Sequence, residues 1–600
     1  MYPTLRIATW NANGLLQHIS ELEILLNNEK IDICPVSETH FTKQSYVKIR
    51  DFFCYHIPHP ADRARGGSAV LIRNNILHHE EPKIESITMQ VTTVSIQAKN
   101  KEFKISAIYC PPRHTPTKED YINLFKALGS YFIIGGDFNA KHTHWGLRLV
   151  TPKGRELLQA GQKNKCVFLS TGLPTYWPSD PGKVPDLIDF FIAKGVTSRF
   201  TQVESNEDLS SDHSPVILTL SENIIQKEKL PRLTNKRTNW DKFREKLLEY
   251  INLQSPLASK EQIDREAEQF IADVQQAAEE STPPDKGIIR SVISYPVEIK
   301  ELVLAKRSAR RKWQQSRYPD DKTKFNRLSN QLKKRIREIK NESINRFLNN
   351  LTADKSTEYS LWKATKRIKR PIIQDPPLKM ANGKWARGSK QKADLFADHL
   401  ANVFKPFPRT TATDNITLTE RDDEQEIPPV TLKELRSTIR HNLNAKKAPG
   451  YDLINGRIMK ELPDIALLKL QYIINACFKL KYVPTHWKIA EVIVIPKPGK
   501  PPTEVASYRP ISLLPIMSKV FERLFLIRLM PIIQERELIP SHQFGFRNKH
   551  STIEQVHRIT NIIEKALEEK KICAAVFLDV AQAFDKKDIS ESAMEKSIPN

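Results

Sequence analysis

The sequence predicts an α/β protein in three parts: an N-terminal four-layer α/β/β/α sandwich over residues 1–222, a basic helical linker over 223–430, and an incomplete α+β domain over 431–600. Three observations lead there. The first 220 residues hold many short apolar runs with few helical periods between them. Beyond them the strand patterns vanish while positive charge rises. Helical and strand-like patterns then resume together from about Leu432.

Strand-like runs fall at Leu5–Trp10, Ile31–Val36, Ala69–Arg73, Val91–Ala98, Phe103–Tyr109, Tyr131–Ile134, Leu187–Ala193 and Val216–Leu220. Helical periodicity appears only at Ile19–Asn28, Lys118–Leu128 and Gly154–Lys163. A doubly wound parallel sheet needs a helix after nearly every strand, and Val91–Tyr109 has none. Two sheets packed face to face and flanked by helices are therefore expected. In the middle region, Phe325, Leu328, Leu332, Ile336 and Ile339 recur at helical spacing, with Lys324, Arg327, Lys333, Lys334, Arg337 and Lys340 between them. That pattern suits an amphipathic helix packing its stripe on a neighbour, and equally a helix offering a basic face to nucleic acid. Pro371, Pro376, Pro377 and the acidic stretch Glu420–Pro429 mark breaks. Two apolar runs, EVIVIPKPGKP and CAAVFLDVAQAF, interrupt the helical C-terminal part, and no internal repeat is evident.

Composition narrows the function. Lys and Arg number 93 against 70 Asp and Glu, a net charge of +23 over 600 residues. Residues 1–220 hold 24 basic and 22 acidic side chains, so nearly all of the excess follows them. A basic chain of this kind suits a polyanionic partner, because neutralising phosphates releases counterions. No stretch approaches the ~18 apolar residues of a membrane span, so no membrane partner is expected. The opening MYPTLRIATWNANG lacks the basic and apolar regions of a signal peptide. Six scattered cysteines without a CxxC pair argue against a zinc ribbon or disulfide scaffold and suit a reducing, intracellular location.

Polar residues cluster at the ends of the N-terminal strands, where a sandwich places its active-site loops. They are Asn11 in TWNANG, Glu38 in VSETH, Tyr109 in AIYCPP, Asp137 and Asn139 in GGDFNA, Asp189 in DLIDFF, and Asp212 with His213 in SSDHSP. One such residue is commonplace, since any could cap a turn. As an ordered set they supply what phosphodiester hydrolysis needs. Carboxylate and amide oxygens hold a hard divalent ion against the extra charge of a pentacoordinate phosphate. A carboxylate handles the attacking water, and a His oriented by a second carboxylate bonds the phosphoryl oxygen. Oxygen ligands favour Mg²⁺, with Mn²⁺ as an alternative, over Zn²⁺.

These motifs, in this order, resemble the endonuclease/exonuclease/phosphatase superfamily. GGDFNAKHTHWG, PTYWP and KVPDLIDFFI are similar, more narrowly, to the apurinic-type endonuclease of Jockey-type non-LTR retrotransposons, over about residues 4–222. The resemblance implies that Glu38 and Asn11 hold the metal and that Asp137 acts on water positioned by Asn139. It further implies that Tyr109 touches the scissile phosphate and that His213, oriented by Asp189, binds the phosphoryl oxygen. Asp212 would complete the metal and phosphate environment, and Thr175 would contact DNA.

Downstream, AVFLDVAQAFDK places Asp579 at the end of an apolar strand with Phe584 five positions later. Nucleotide transfer needs carboxylates that hold two metal ions. Beside SYRPISLLPIMSKVFERL, HQFGFRNKHSTIEQ and the Lys446–Pro501 segment, this run resembles the fingers and first palm motif of a reverse transcriptase. In that family Asp579 binds both metals, Phe584 walls off the ribose 2′ position, and Arg509 reaches the triphosphate. Lys497, Lys500 and Arg547 are template or nucleotide contacts. The family's second carboxylate pair, in a Tyr/Phe-x-Asp-Asp hairpin, does not follow Asp579 here, and YPDD at Tyr318–Asp321 precedes it and contains a proline. The expectation is a Jockey-like endonuclease–reverse transcriptase, truncated and inactive as a polymerase, acting on target DNA and element RNA in the nucleus. A repair-type apurinic endonuclease or phosphatase of the same superfamily and a non-catalytic nucleic-acid binder are the alternatives.

Overall fold

Side-chain alternation along the strands sets the architecture of the N-terminal region. In β1 (Leu5–Asn11), Leu5 and Ile7 face one way and Ala8 and Trp10 the other. β2 (Ile33–Ser37), β3 (Phe52–Ile57), β4 (Ser68–Arg73), β5 (His78–Glu80), β6 (Ile84–Glu85), β7 (Gln90–Ala98) and β8 (Lys101–Tyr109) follow. β9 (Phe132–Asp137), β10 (Val167–Leu169), β11 (Asp189–Lys194), β12 (Thr201–Ser205) and β13 (Val216–Leu220) complete the set. One sheet has the order β12-β13-β1-β2-β4-β3, and the other β10-β11-β9-β8-β7-β5 with β6 paired to β7. Among the described residues only β1–β2 and β8–β9 are parallel pairs.

Between the sheets Ile7, Ile33, Val70 and Ile72 meet Val94, Ile105, Ile133 and Phe191. On the outside, α1 (Ile19–Asn28) packs Leu22, Leu25 and Leu26 on Ala8, Trp10, Cys34 and Leu71. α2 (Lys118–Leu128) and α3 (Pro152–Lys163) cover Ile108, Phe132, Ile134 and Phe190 of the other sheet. This is the expected four-layer sandwich. The strands not expected from sequence (β3, β5, β6, β10 and β12) are short or lie at sheet edges, where one side is unpaired and the apolar alternation weakens.

The computed structural model describes residues 4–98, 101–196, 201–221, 224–225, 231–253, 256–284, 295–350, 376–405, 427–445, 447–547 and 549–578. They fall into two units, 1–229 with 288–377 and 230–287 with 378–600, so the basic middle region is divided between them. Among the described residues no helix is long and apolar enough to cross a membrane.

α4 (Trp240–Tyr250) and α5 (Lys260–Glu280) belong to the second unit, and α6 (Val297–Ser316) and α7 (Pro319–Asn349) to the first. The apolar stripe of α7 is satisfied within the first unit. Leu332 and Ile336 pack with Ile299 and Val303 of α6 and Ile24 of α1, while Phe325 stacks on Trp313 with centroids 5.9 Å apart. Two cations between the stripe residues are also committed, Lys333 to Glu21 at 3.3 Å and Lys340 to Glu23 at 2.9 Å. Lys324, Arg327, Lys334 and Arg337 remain exposed. Tyr318–Asp321 simply opens α7, with Pro319 at its first position and Asp320 and Asp321 in its first turn, where the helix dipole favours them.

In the second unit, α4 and α5 pack with the helices Asp464–Lys479 and Ile516–Glu535 around Phe243, Phe270, Leu470, Ile474, Trp487 and Met517. Glu491–Pro496 and Tyr508–Leu513 form an antiparallel ribbon. Over the described residues, the strand expected to lead into Asp579 does not form. Residues 571–578 have no regular structure, and Phe577 is 87% exposed.

The paired glycines of GGDFNA have a packing role. A Cβ on Gly135 would sit 2.5 Å from the Phe191 ring, and one on Gly136 would sit 2.0 Å from the Ile108 carbonyl. Gly136→Ala must therefore push β8 from β9. We expect it to lower the stability of this unit by about 3 kcal/mol in urea denaturation; a change below about 0.5 kcal/mol contradicts the packing argument.

Candidate active site at the rim of the paired sheets

Asn11, Tyr109, Asp137 and Asp189 share the inner face of Ile7, Ile105, Ile133 and Phe191, because each lies an even number of residues away on the same strand. Register brings them to one rim. Asp137 is opposite Tyr109 on β8 and opposite Asp189 on β11, and Asn11 is opposite Ser37 on β2. Glu38 follows Ser37 with φ 48°, and Asn139 follows Asp137 by two residues with φ 45°. Both occupy the left-handed region that turns the chain sharply at the strand end.

Asp137 is the hub. Its Oδ2 accepts from Asn11 Nδ2 and Asn139 Nδ2, both at 2.9 Å, and its Oδ1 accepts from the Asn139 N–H at 2.8 Å. Ser37 Oγ accepts from the Asp137 N–H at 3.0 Å and donates to the Ile108 carbonyl at 2.8 Å. His213 Nδ1 lies 2.7 Å from Asp189 Oδ2, and Tyr176 leans on the His213 ring at 4.9 Å between centroids. Ligand-type atoms of Asp137, Asp189 and His213 all lie within 4.8 Å of one another. Asp212 is half-buried and accepts from Asn13 Nδ2 at 3.3 Å.

Burial and charge tune these groups in opposite directions. Burial alone would raise Glu38, but hydrogen bonds from His40, Tyr109 and Asn11 and the His213 charge keep its carboxyl below the usual range. Burial, then the Asp189 and Glu38 charges, push Asp137 well up. Burial alone would lower His213; the charge of Asp189 and its hydrogen bond, helped by Asp137 and Asp212, lift the imidazole to about 10. The ring is therefore an imidazolium at neutral pH. Burial and the Glu38 charge push the Tyr109 phenol up, so it stays a hydrogen-bond donor.

The chemistry of the donor set fits a divalent cation. Glu38, Asp137 and Asp189 crowd one imidazolium, and Asp189 Oδ1 is buried without a hydrogen-bond partner. A hard cation would answer that surplus of negative oxygen.

Thr175 does not lie where a DNA contact needs it. It is fully buried, and its hydroxyl accepts the N–H groups of Ile188 (3.2 Å) and Asp189 (3.1 Å), so it props the carboxylate from behind. Sequence reasoning missed Ser37, Tyr176 and Ser211, the last bonding the Asn11 carbonyl at 2.8 Å. Ser37 and Tyr176 sit inside the SETH and PTYWP motifs, so adjacency was the available signal. In the second unit Arg509 is exposed on the ribbon opposite Ile495, and Lys497 Nζ donates to the Ala506 carbonyl at 2.8 Å. Lys500 is exposed, and Arg547 donates to the Pro540 carbonyl at 3.2 Å. Asp579 and Phe584 lie outside the described residues.

A family profile described as "Endonuclease-reverse transcriptase" matches residues 103–217, and one described as "Reverse transcriptase (RNA-dependent DNA polymerase)" matches 495–596. The chain is 34% identical over 593 residues to the "Probable RNA-directed DNA polymerase from transposon BS" of Drosophila melanogaster, covering 97% of this chain and 65% of that protein. It is 35% identical over 591 residues to the "RNA-directed DNA polymerase from mobile element jockey" of Drosophila melanogaster, covering 97% and 64%. It thus spans just under two thirds of the length of these curated relatives. Among solved structures, the endonuclease domain of TRAS1, a telomere-specific non-LTR retrotransposon, is 19% identical with a TM-score of 0.31, covering 36% of this chain and 98% of that one. The AP endonuclease LMAP of Leishmania major is 14% identical with a TM-score of 0.30, covering 36% and 87%.

Removing the Thr175 hydroxyl leaves two buried N–H donors without an acceptor. Thr175→Val is expected to cost about 2 kcal/mol in chemical denaturation and Thr175→Ser much less. Equal losses in both variants would trace the effect to the methyl group instead.

Proposed function

Because the chain belongs with the Jockey-like endonuclease–reverse transcriptases of non-LTR retrotransposons, and holds only part of the reverse-transcriptase portion, we propose that its first unit nicks target DNA with a bound divalent cation. Mg²⁺ is the expected ion, with Mn²⁺ able to replace it. The 3′-hydroxyl left by the nick would prime copying of the element's RNA, which sets the place of action in the nucleus. The observation that carries this reading is the rim itself: Asp137 held by two amides within reach of a His213–Asp189 pair.

Glu38 would hold the cation, with Asn11 and Asp212 completing its oxygen environment. When bound, the ion stabilises the negative charge that develops on the phosphate. Asp137, steadied by Asn11 and Asn139, orients the attacking water and takes its proton, a task suited to a carboxylate whose proton affinity burial and the neighbouring Asp189 charge raise. His213 commits Nδ1–H to Asp189 and turns Nε2–H toward the phosphoryl oxygen as a charged donor. Tyr109 adds a neutral O–H donor at the same rim.

Closed-circular plasmid DNA tests the reading. The 600-residue chain is expected to convert it to the nicked form in Mg²⁺ and to stop when the metal is chelated. Glu38→Ala and His213→Ala should each lower the rate by about 100-fold or more. Equal nicking by all three proteins, or none by any, contradicts the endonuclease. The same chain is expected not to extend a primer on an RNA template, and nucleotide incorporation would overturn that part.

A further inference from the structure

Sequence patterns mark α6 and α7 as a basic linker, yet α6 is bonded side chain by side chain to the segment that carries His213. Lys306, Arg307, Arg310, Arg311 and Gln314 recur at helical spacing and so line adjoining positions on α6. Lys306 is buried and donates to Glu21 (2.9 Å) and to the Asp208 carbonyl. Arg307 forks onto the Asp208 carboxylate, and Arg311 bonds Glu207 at 3.1 Å. Arg310 has no exposed surface, and its guanidinium donates to the carbonyls of Ser211 (3.2 Å) and His213 (3.0 Å) and to Ser214 Oγ (3.3 Å). The Gln314 amide oxygen, in the orientation that satisfies its neighbours, accepts from Arg310 Nε at 3.3 Å and from Trp177 Nε1 at 3.1 Å.

A buried guanidinium is costly unless its donors are well used. Here Nη2 is spent on the very loop that presents the imidazole and Nε on Gln314, while Nη1 is buried without a partner. The His213 carbonyl already accepts from Trp10 Nε1 at 3.2 Å, so Arg310 closes a two-donor grip on it, while Ser211 Oγ accepts from the His213 N–H at 3.2 Å. With that peptide fixed, the ring has little freedom to leave Asp189. The Phe325 ring of α7 lies 5.6 Å from the guanidinium, and burial lowers Arg310 only to about 10, so the group stays charged at neutral pH.

We propose that Arg310 is a positioning residue for His213 and that the α6–α7 hairpin is a working part of the nuclease, clamping residues 206–214 so that the imidazole ring stays aimed at the phosphate. The inference rests on the endonuclease reading above. It also means that a nuclease ending at residue 222 lacks the clamp.

The test uses the whole chain. In plasmid nicking, Arg310→Met is expected to lower kcat by about 10- to 100-fold with KM for DNA within about twofold, the signature of a misplaced group rather than weakened binding. Arg310→Lys, which restores charge but fewer donors, should recover part of the loss, while Lys300→Met, an exposed cation on the same helix, should leave kcat unchanged. Hydrogen exchange should quicken in peptides covering 206–214 of Arg310→Met and not in those covering β8 and β9. If Arg310→Met does not fold, Arg307→Gln takes its place, with the same expected direction. Wild-type kcat in the variant, a change confined to KM, or faster exchange spread evenly over the whole unit would each overturn the clamp. An inactive wild type would strike the endonuclease reading alone, because the exchange comparison judges the clamp without activity.

Discussion

In the second sheet β9 runs between β8 and β11, and its last residue, Asp137, faces Tyr109 on one side and Asp189 on the other. The geometry of the site depends on that register. A slip of one residue would turn Asp137 to the outer face, among Phe132, Ile134 and the helices, and would carry Asp189 away from His213. The register is held by packing on both faces: Phe191 lies over Gly135, Gly136 admits the Ile108 carbonyl, and Ile105 and Ile133 fill the space between the sheets. Sandwich and site are therefore one structure. The apolar residues that close the two sheets also fix where the polar ones emerge.

Concentrating carboxylates at a buried rim raises a charge problem that the surrounding residues answer in layers. Asn11, Asn139 and the Asn139 N–H share Asp137, His213 answers Asp189, and His40 and Tyr109 lean on Glu38. What remains is negative oxygen facing the rim. A further layer lies behind His213, where Arg310 bonds the backbone of its loop, and α7 seals that arginine with Phe325. Polar groups of this kind act as a unit, since leaving any one unpaired in a low-dielectric setting costs more than the bond itself provides.

Much of this was legible in the sequence, for physical reasons that also explain what was not. Strands buried on both faces, such as β1, β8 and β9, carry strong apolar runs, and their terminal polar residues stand out against that background. Edge strands such as β3 and β12 do not. Thr175 is recognisable as part of PTYWP, yet its use could not be read there, because nothing local tells a surface hydroxyl from one accepting two buried N–H groups. Arg310 was hidden more deeply. It sits among fifteen basic residues between 301 and 350, and only tertiary packing separates it and Lys306, both sealed, from those that meet water. The run before Asp579 shows the opposite failure: a strand-like pattern is irregular over residues 571–578.

If the proposed nuclease is right, residues of β1, β9 and β11 and of the loops after β2 and before β13 surround one divalent cation. Anomalous diffraction from crystals of the 600-residue chain soaked in Mn²⁺ measures this directly. A strong peak is expected within coordinating distance of the Glu38 carboxylate, on the side of the rim that faces Asp137 and His213. A peak elsewhere, or none at a concentration that supports nicking, would contradict it.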